Sequence, residues 1–244
     1  MIIGPTFFSR QIGDHTPGDG LTRLQTAFAG GSSADISQYA IGSGTINGSV
    51  AVTDGLLTVT LTALSTNRIS WNNNDLRRLN STALTVEFFV RVVEVTVNHA
   101  SSIRQYASLD NFDNMDDGGG NGGTHEFGVG GYSGGINPFR AQLNTWYSGD
   151  TGYDAYGAGF VHVAYVWDAS PTGSLSIYID GVRVVLQTGG SHWISGDTIL
   201  YLGGASPIFT NAVAEFTGVR VRRAEMYSGA SFVPPASPAD WGPP

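Results

Sequence analysis

The sequence predicts an all-β fold, a sandwich of two antiparallel sheets built from many short strands. Glycine contributes 34 of the 244 residues, and only 13% of the residues are charged. A helical domain would use more charged residues and less glycine, because glycine destabilises helices. Several segments also alternate apolar and polar residues with the two-residue period of a strand. All-β sandwiches often reach this length as one domain, so the chain does not require two.

The clearest strands lie between residues 160 and 187. Apolar side chains alternate in residues 161–167 and again in residues 175–179, with turn-forming residues between the two runs. Asp180-Gly181 follows, and this pair favours a type I′ turn because both residues tolerate positive φ. Residues 182–187 then alternate once more. The pattern predicts an antiparallel meander of three strands.

Strand patterns also precede and follow this meander. Residues 84–95 place Val86, Phe88 and Val90 on one face, which is predicted to be the core face. Residues 57–61 and 216–222 show the same alternation. Together with shorter segments, these patterns predict about eleven to fourteen strands in two sheets.

The two ends of the chain show weaker patterns. Residues 1–48 are predicted to form a partly irregular N-terminal arm, with apolar spacing over residues 21–28 that predicts a short helix. The main domain is predicted over residues 49–228. Residues 229–244 form a proline-rich tail, which cannot continue a ladder because proline has no N–H.

Three of the predicted strands carry a resemblance to a known family. VHVAYVWD, followed by a strand ending in YIDGVRV, is similar to the "W-H-H-V-A … L-Y-V-D-G" centre of laminin-G-like domains of the concanavalin A-like lectin/glucanase superfamily. LTVEFFVR and FTGVRVR resemble two further strands of that family, in the family's order. The resemblance covers roughly Val50 to Tyr227, and it implies a jelly-roll sandwich with extended N- and C-terminal arms. This fold hosts lectins, adhesion modules and enzymes alike.

Composition excludes several classes of function. The absence of cysteine rules out disulfides and thiolate metal sites. A formal net charge of −8 argues against nucleic acid as the main partner, because phosphate binding needs a basic surface. All twelve basic residues are arginine, so lysine cannot protect the sheet edges. The sequence offers no membrane span and no secretory leader, which together with the initial Met predicts folding in a cytoplasm.

Catalytic motifs are weak. Gly118, Gly120 and Gly123 match G-x-G-x-x-G, and residues 131–135 match G-x-S-x-G, but neither match lies between a strand and a helix. Related glucanases carry an E-x-D-x-x-E strand, and no glutamate of this chain stands in that pattern. The sequence therefore predicts a protein that is not an enzyme.

Two kinds of binding site are predicted in the glycine-rich loops. Calcium prefers clustered oxygen ligands. The densest carboxylate cluster, which the resemblance also favours as a calcium site at a loop rim, consists of Asp110, Asp113, Asp116 and Asp117. Glycans bind aromatic faces beside hydrogen-bonding side chains. The residues of that type predicted to bind a glycan are Tyr132, Tyr153, Asp154, Tyr156 and Trp193. In each case a purely structural role for the loop is the competing interpretation.

Laminin-G-like domains framed by such arms resemble those of tailed-phage virion proteins. The resulting hypothesis is a non-enzymatic virion structural protein, a capsid decoration or tail-associated module that also adheres to surface glycans. Its predicted partners are other virion proteins, further copies of itself and a surface glycan, and the tail around residues 227–235 is predicted to dock as an extended arm. The alternatives are a free-standing bacterial carbohydrate-binding or adhesion protein, located outside the cell or on its surface, and a glycan-cleaving enzyme.

Overall fold

The computed structural model describes residues 21–37, 42–61, 66–72, 76, 83–95, 104–111, 125–129, 138–143, 147–154, 159–169, 174–188, 198–205 and 212–241. For the strands between residues 104 and 154 the description is limited to backbone pairing. The described residues form the following strands in chain order: β1 (Thr22–Thr26), β2 (Thr45–Asn47), β3 (Val50–Thr53), β4 (Leu56–Leu61), β5 (Thr66–Asn72), β6 (Leu84–Val95), β7 (Arg104–Asn111), β8 (His125–Val129), β9 (Pro138–Leu143), β10 (Tyr147–Asp154), β11 (Val161–Trp167), β12 (Leu175–Ile179), β13 (Val182–Gln187), β14 (Thr198–Ala205) and β15 (Ala212–Arg222).

These strands form two antiparallel sheets. The eight-stranded sheet has the order β13-β12-β11-β6-β15-β4-β3, with β1 also paired to β15. The seven-stranded sheet has the order β10-β9-β8-β7-β14-β5-β2. The predicted all-β class and the two-sheet antiparallel sandwich are confirmed. The described residues form fifteen strands, one more than the upper limit of the predicted eleven to fourteen. Two of the strands, β1 and β2, come from the predicted N-terminal arm.

The core lies between the two sheets. The eight-stranded sheet contributes Val86, Phe88 and Val163, and the seven-stranded sheet contributes Trp71 and Leu200, all at most 3% exposed. The predicted core face of residues 84–95 is therefore correct. The meander of β11, β12 and β13 is also confirmed, and the turn between β12 and β13 has φ of 47° at Asp180 and 76° at Gly181.

The predicted helix over residues 21–28 is wrong, because residues 22–26 form strand β1. Strand β15 is long, and β4 pairs with only its first half, from Ala212 to Phe216. The second half would leave N–H and C=O groups unpaired, and β1 pairs there, with Thr26 opposite Val219. Leu24 meanwhile reaches the core. Tertiary pairing thus outweighs a weak local helical pattern.

Every residue of β11 and β12 is buried, although one face of an antiparallel sheet is commonly solvated. A C-terminal strap, residues 224–241, covers the outer face of the eight-stranded sheet. Its Tyr227 and Phe232 rings stack with centroids 3.6 Å apart and pack on Ala164, Val166 and Tyr178. The strap makes one isolated bridge, Val182 with Ser231, which agrees with the expectation that a proline-rich tail does not extend the ladder.

The strap also tests the prediction that residues 227–235 form an arm that docks on other proteins. In the structure, Phe232 N–H donates to the Gly181 carbonyl at 2.8 Å, and Arg183 N–H donates to the Ala230 carbonyl at 2.9 Å. At the other end of the strap, Trp241 is buried with its ring 5.5 Å from that of Phe89. This segment therefore docks on its own sheet. Among the described residues, no helix is long and apolar enough to cross a membrane.

The close approach of the strap to the β12–β13 turn predicts a difference between two glycines. Gly181 and Gly55 have similar positive φ, 76° and 74°. A Cβ on Gly181 would lie 2.8 Å from Pro234 Cδ and closer still to the Phe232 carbonyl oxygen, whereas a Cβ on Gly55 meets nothing within 4 Å. We expect Gly55→Ala to lower the free energy of unfolding by about 1 kcal/mol through backbone strain alone. Gly181→Ala adds a steric clash and should cost about 2 kcal/mol or more.

Urea unfolding of both variants measures this difference. Equal losses for Gly55→Ala and Gly181→Ala would contradict the docked position of the strap.

Candidate functional site

The outer face of the seven-stranded sheet carries a continuous row of polar residues. Tyr201 in β14 lies opposite Ser70 in β5 and Ser108 in β7. The register continues through every strand of the sheet. The residues of this polar row, from β2 to β10, are Thr45, Ser70, Tyr201, Ser108, Glu126, Gln142 and Ser148. Six strand spacings of about 4.8 Å make the row on the order of 29 Å long.

The flanking residues establish on which face the row lies. Leu200 and Leu202 both belong to the core, so Tyr201 between them lies on the opposite face. The same holds for Ser70, because Ile69 and Trp71 on either side of it are core residues. Tyr201 and Ser70, and the row that the register builds through them, therefore lie on the face of the sheet that points away from the sandwich interior, where the Tyr201 side chain is itself only 2% exposed.

Arg68 lies in β5, two positions along the strand from Ser70, and therefore stands beside the row. Its guanidinium carbon lies 4.7 Å from the centroid of the Tyr201 ring, a distance at which a cation and an aromatic face attract. Two positions along β9 from Gln142, Arg140 lies opposite Gly128 and Asp150. The residue types along the row and beside it are thus hydroxyl, amide, carboxylate and guanidinium, which together supply both hydrogen-bond donors and acceptors.

The residues predicted from the sequence fall in different parts of the structure. Asp110 belongs to β7, opposite Ile199. Tyr153 and Asp154 belong to the edge strand β10, where Asp154 lies opposite Pro138 beyond an irregularity in the register. The remaining predicted residues lie outside the described residues: Tyr132, Tyr156, Trp193, Asp113, Asp116 and Asp117. In the part of the chain that is described, no three His, Asp or Glu side chains converge as metal ligands, and the calcium site stays a prediction.

A buried charged cluster on the other sheet was not predicted from the sequence. Glu87 in β6 lies opposite Ala164 in β11 and Arg220 in β15. The Glu87 side chain is fully buried, and Arg220 is only 3% exposed. Arg220 Nε and Nη2 lie 2.7 and 2.6 Å from Glu87 Oε1. His162 Nε2 lies 2.9 Å from Oε2, and the Tyr227 hydroxyl donates to the same oxygen at 2.7 Å.

The surroundings set the protonation of this Glu87 cluster. Burial alone would raise the pKa of Glu87, but the hydrogen bond from His162 and the charge of Arg220 outweigh it and lower the pKa. Glu87 is therefore a carboxylate near neutral pH, and because a carboxylate only accepts hydrogen bonds, His162 Nε2 carries a proton. Burial and the negative charge of Glu87 raise the pKa of Tyr227, so its hydroxyl stays protonated.

The strap supplies several of the contacts of this cluster. Tyr227 itself belongs to the strap, and Arg220 Nη1 donates to the backbone carbonyl of Trp241 at 2.7 Å. The Phe232 ring lies 6.0 Å from that of His162. Both oxygens of Glu87 are occupied by protein donors, so the cluster attaches the strap to the sheet. In the sequence, the cluster was indicated only by Glu87, a charged residue on the non-core face of the alternating strand β6.

Fold and site together define a two-sheet β-sandwich with a strap over one outer face and a polar row across the other. A family model described as the Concanavalin A-like lectin/glucanases superfamily, with the family name Laminin_G_3, matches residues 64–230. The chain belongs to this superfamily, which confirms the resemblance inferred from its strands. A search of curated proteins found no match.

Solved structures share the fold at low sequence identity. Alginate lyase Aly36B, as a mutant in complex with alginate trisaccharide, is 16% identical with a TM-score of 0.55, and the match covers 84% of this chain and 98% of the lyase. Trypanosoma rangeli sialidase in complex with sialic acid is 14% identical with a TM-score of 0.55, covering 86% of this chain and 32% of the sialidase. A botulinum neurotoxin type C structure is 12% identical with a TM-score of 0.56, and the match covers 85% of this chain and 49% of the neurotoxin chain. At these identities the likeness concerns the fold alone.

Proposed function

We propose that the chain is a non-enzymatic glycan-binding module, and that it serves as a structural protein of a tailed-phage virion, as a capsid decoration or tail-associated component. The polar row is the observation that carries the glycan-binding part. It runs across seven strands, and six of its seven residues are of the hydroxyl, amide or carboxylate types that form hydrogen bonds with glycans, whereas Tyr201 is only 2% exposed.

The length of the row favours an extended saccharide chain over a single terminal sugar. A chain that crosses the strands at right angles meets a new hydrogen-bonding residue at each strand spacing of about 4.8 Å, a distance similar to the length of a sugar ring. Structural neighbours are also proteins of glycan chemistry. They include an alginate lyase in complex with alginate trisaccharide, a sialidase in complex with sialic acid, and a neurotoxin whose cell entry depends on two ganglioside molecules.

The absence of catalysis and the virion location rest on other observations. The one carboxylate whose buried surroundings are described, Glu87, is neutralised by Arg220 and covered by the strap, which supports a structural role. The virion part is supported by the laminin-G-like strands together with a chain free of cysteine and lysine. Mass spectrometry of purified particles tests it, because a virion protein is found there in many copies. Absence from the particles would overturn the virion part.

Binding assays test the glycan part. After an array identifies a polysaccharide, titration with its oligosaccharides should show affinity that rises with chain length over several sugars. We expect Gln142→Ala, in β9 next to the β10 end of the row, to weaken binding about tenfold, which corresponds to about 1.4 kcal/mol. The control is Thr53→Ala, an exposed position in the edge strand β3 of the other sheet, which should leave the affinity unchanged.

Three results would contradict this proposal. Absence of any glycan binding would contradict the glycan-binding part of the proposal. Binding that Tyr153→Ala abolishes and Gln142→Ala leaves intact would place the site at the end of the edge strand β10 instead of on the polar row. Release of new reducing ends from the polysaccharide would show that the protein is an enzyme.

A further inference from the structure

The C-terminal strap is anchored to the sheet in two separate parts. The first part is fixed next to β6, where Thr85 Oγ1 donates to the Ala224 carbonyl at 2.7 Å and accepts from Met226 N–H at 3.1 Å. The second part, residues 230–241, contacts the β12–β13 turn through Phe232 and then returns to β6 and β15, where Trp241 packs on Phe89 and accepts from Arg220. We propose that this second part exchanges between two copies of the chain, each copy placing it on the outer face of the other's eight-stranded sheet.

The connection between the two parts is suited to such an exchange. Ser228 and Gly229 are both exposed, and Gly229 has a φ of 77° with nothing within 4 Å of the position of a Cβ. A glycine in this conformation has access to the rest of φ/ψ space at little steric cost, so the chain can change direction there. Beyond it, the strap has a single isolated bridge to the sheet, Val182 with Ser231. Opening therefore breaks few backbone hydrogen bonds, together with the one that the Tyr178 hydroxyl donates to the Gly229 carbonyl at 3.0 Å.

The surface under the strap favours an occupied state. Without the strap, Arg220 would lose the Trp241 carbonyl that accepts from its Nη1, and Phe89 would lose the indole ring against it. The side chains of Ala164, Val166 and Tyr178, which Tyr227 and Phe232 cover, would lose part of that cover to water, which is unfavourable for apolar surface. The same groups are satisfied equally well by the strap of a second copy, because the contacts are identical. The balance between the closed monomer and the exchanged dimer then depends on protein concentration.

Two exposed apolar side chains lie next to the connection. Val233 is 93% exposed and Val182 is 56% exposed, and they belong to the two segments joined by the isolated bridge. In a monomer these side chains face water. In a reciprocal exchange the two connections cross between the copies, so residues beside them form the new contact and become covered. This is an independent reason for a second copy as the occupant, and the proposal does not depend on glycan binding.

Engineered disulfides test the exchange directly, because the chain has no cysteine of its own. Val182 and Ser231 are bridge partners flanked by the hydrogen bonds Arg183 N–H to Ala230 O and Phe232 N–H to Gly181 O. This makes them a non-hydrogen-bonded antiparallel pair, with Cα atoms about 4.5 Å apart, within the range a disulfide needs. Val182→Cys and Ser231→Cys are introduced into two separately tagged full-length chains, which are co-expressed under reducing conditions and then oxidised.

A disulfide between the two tagged chains is expected. The control for random collisions combines Ser231→Cys with Ala51→Cys, an exposed position in β3, and the disulfide yield should be several times that of this control. Light scattering should also show a dimer fraction that grows with concentration. A yield no higher than that of the control would overturn the proposal. A chain that carries both Val182→Cys and Ser231→Cys must close on itself in the monomer fraction. If it does not, the strap is not docked as described, and the proposal also fails.

Discussion

Replacing Glu87 with glutamine is expected to lower the free energy of unfolding by about 3–4 kcal/mol. The substitution keeps the shape of the side chain but leaves Arg220, which is 3% exposed, without its only close carboxylate among the described residues. Breaking a buried ion pair by removing one partner costs about 3–5 kcal/mol, because an uncompensated charge stays in a poorly solvated place. Urea unfolding of the variant and the parent protein measures the difference.

Glu215→Gln is the matched control. Its carboxylate pairs with Arg91, whose side chain is 41% exposed, and pairs of this kind contribute at most about 1 kcal/mol.

Acid unfolding adds a second readout. Because the pKa of Glu87 is lowered from 4.5 in the folded state, the unfolded chain takes up the proton first as the pH falls. The stabilisation by Glu87 is present above about pH 4.5 and is lost as the pH falls through the folded pKa. The Glu87→Gln variant lacks this acid-dependent loss of stability. Equal decreases in the free energy of unfolding for Glu87→Gln and Glu215→Gln would contradict the described cluster.

Phe232→Ala is expected to destabilise the protein by about 3 kcal/mol, toward the lower end of the range for removal of a packed aromatic ring. The ring stacks on Tyr227 at 3.6 Å and lies 5.1 Å from Tyr178, so it covers part of the outer face of the eight-stranded sheet. Its loss should also increase hydrogen exchange at the Arg183 and Phe232 amides, whose hydrogen bonds hold the strap at the β12–β13 turn.

The neighbouring residue supplies the control for this prediction. Val233 is 93% exposed, and Val233→Ala should change the free energy of unfolding by less than about 0.5 kcal/mol. Thermal unfolding of Phe232→Ala, Val233→Ala and the parent protein separates the two cases. Similar stability for all three would mean that the strap is not packed on the sheet.

The strands that carry the core could be predicted from the sequence because their signal is local. Asp180-Gly181 specifies a tight turn without reference to any other residue, and the alternation around Phe88 identifies the core face of β6. Strand β1 could not be predicted in this way. Its conformation depends on the unpaired second half of β15, which lies almost 200 residues away in the sequence, as the pairing of Gln25 with Arg220 illustrates.

The two outer faces could not be derived from the sequence for a similar reason. The polar row joins residues from seven strands, and each of them, such as Gln142 or Ser70, is an ordinary polar residue within its own strand. Only the register places them in one line. Glu87 likewise had the pattern of a solvent-facing charge, and it is buried because Tyr227 and Trp241, more than 130 positions later, return to cover it. The predicted loop residues had a local signal, and their role stays a prediction.

The strap also has a consequence for the order in which the protein is made. Glu87 and His162 leave the ribosome well before Arg220, and Tyr227 and Trp241 follow last. Until those two residues emerge, the nascent chain carries an open apolar surface with an incompletely neutralised carboxylate, a state that is prone to aggregation. The fold is therefore completed only when the strap has been translated. Chaperone binding to ribosome-held chains should be strongest in chains that end just before the strap.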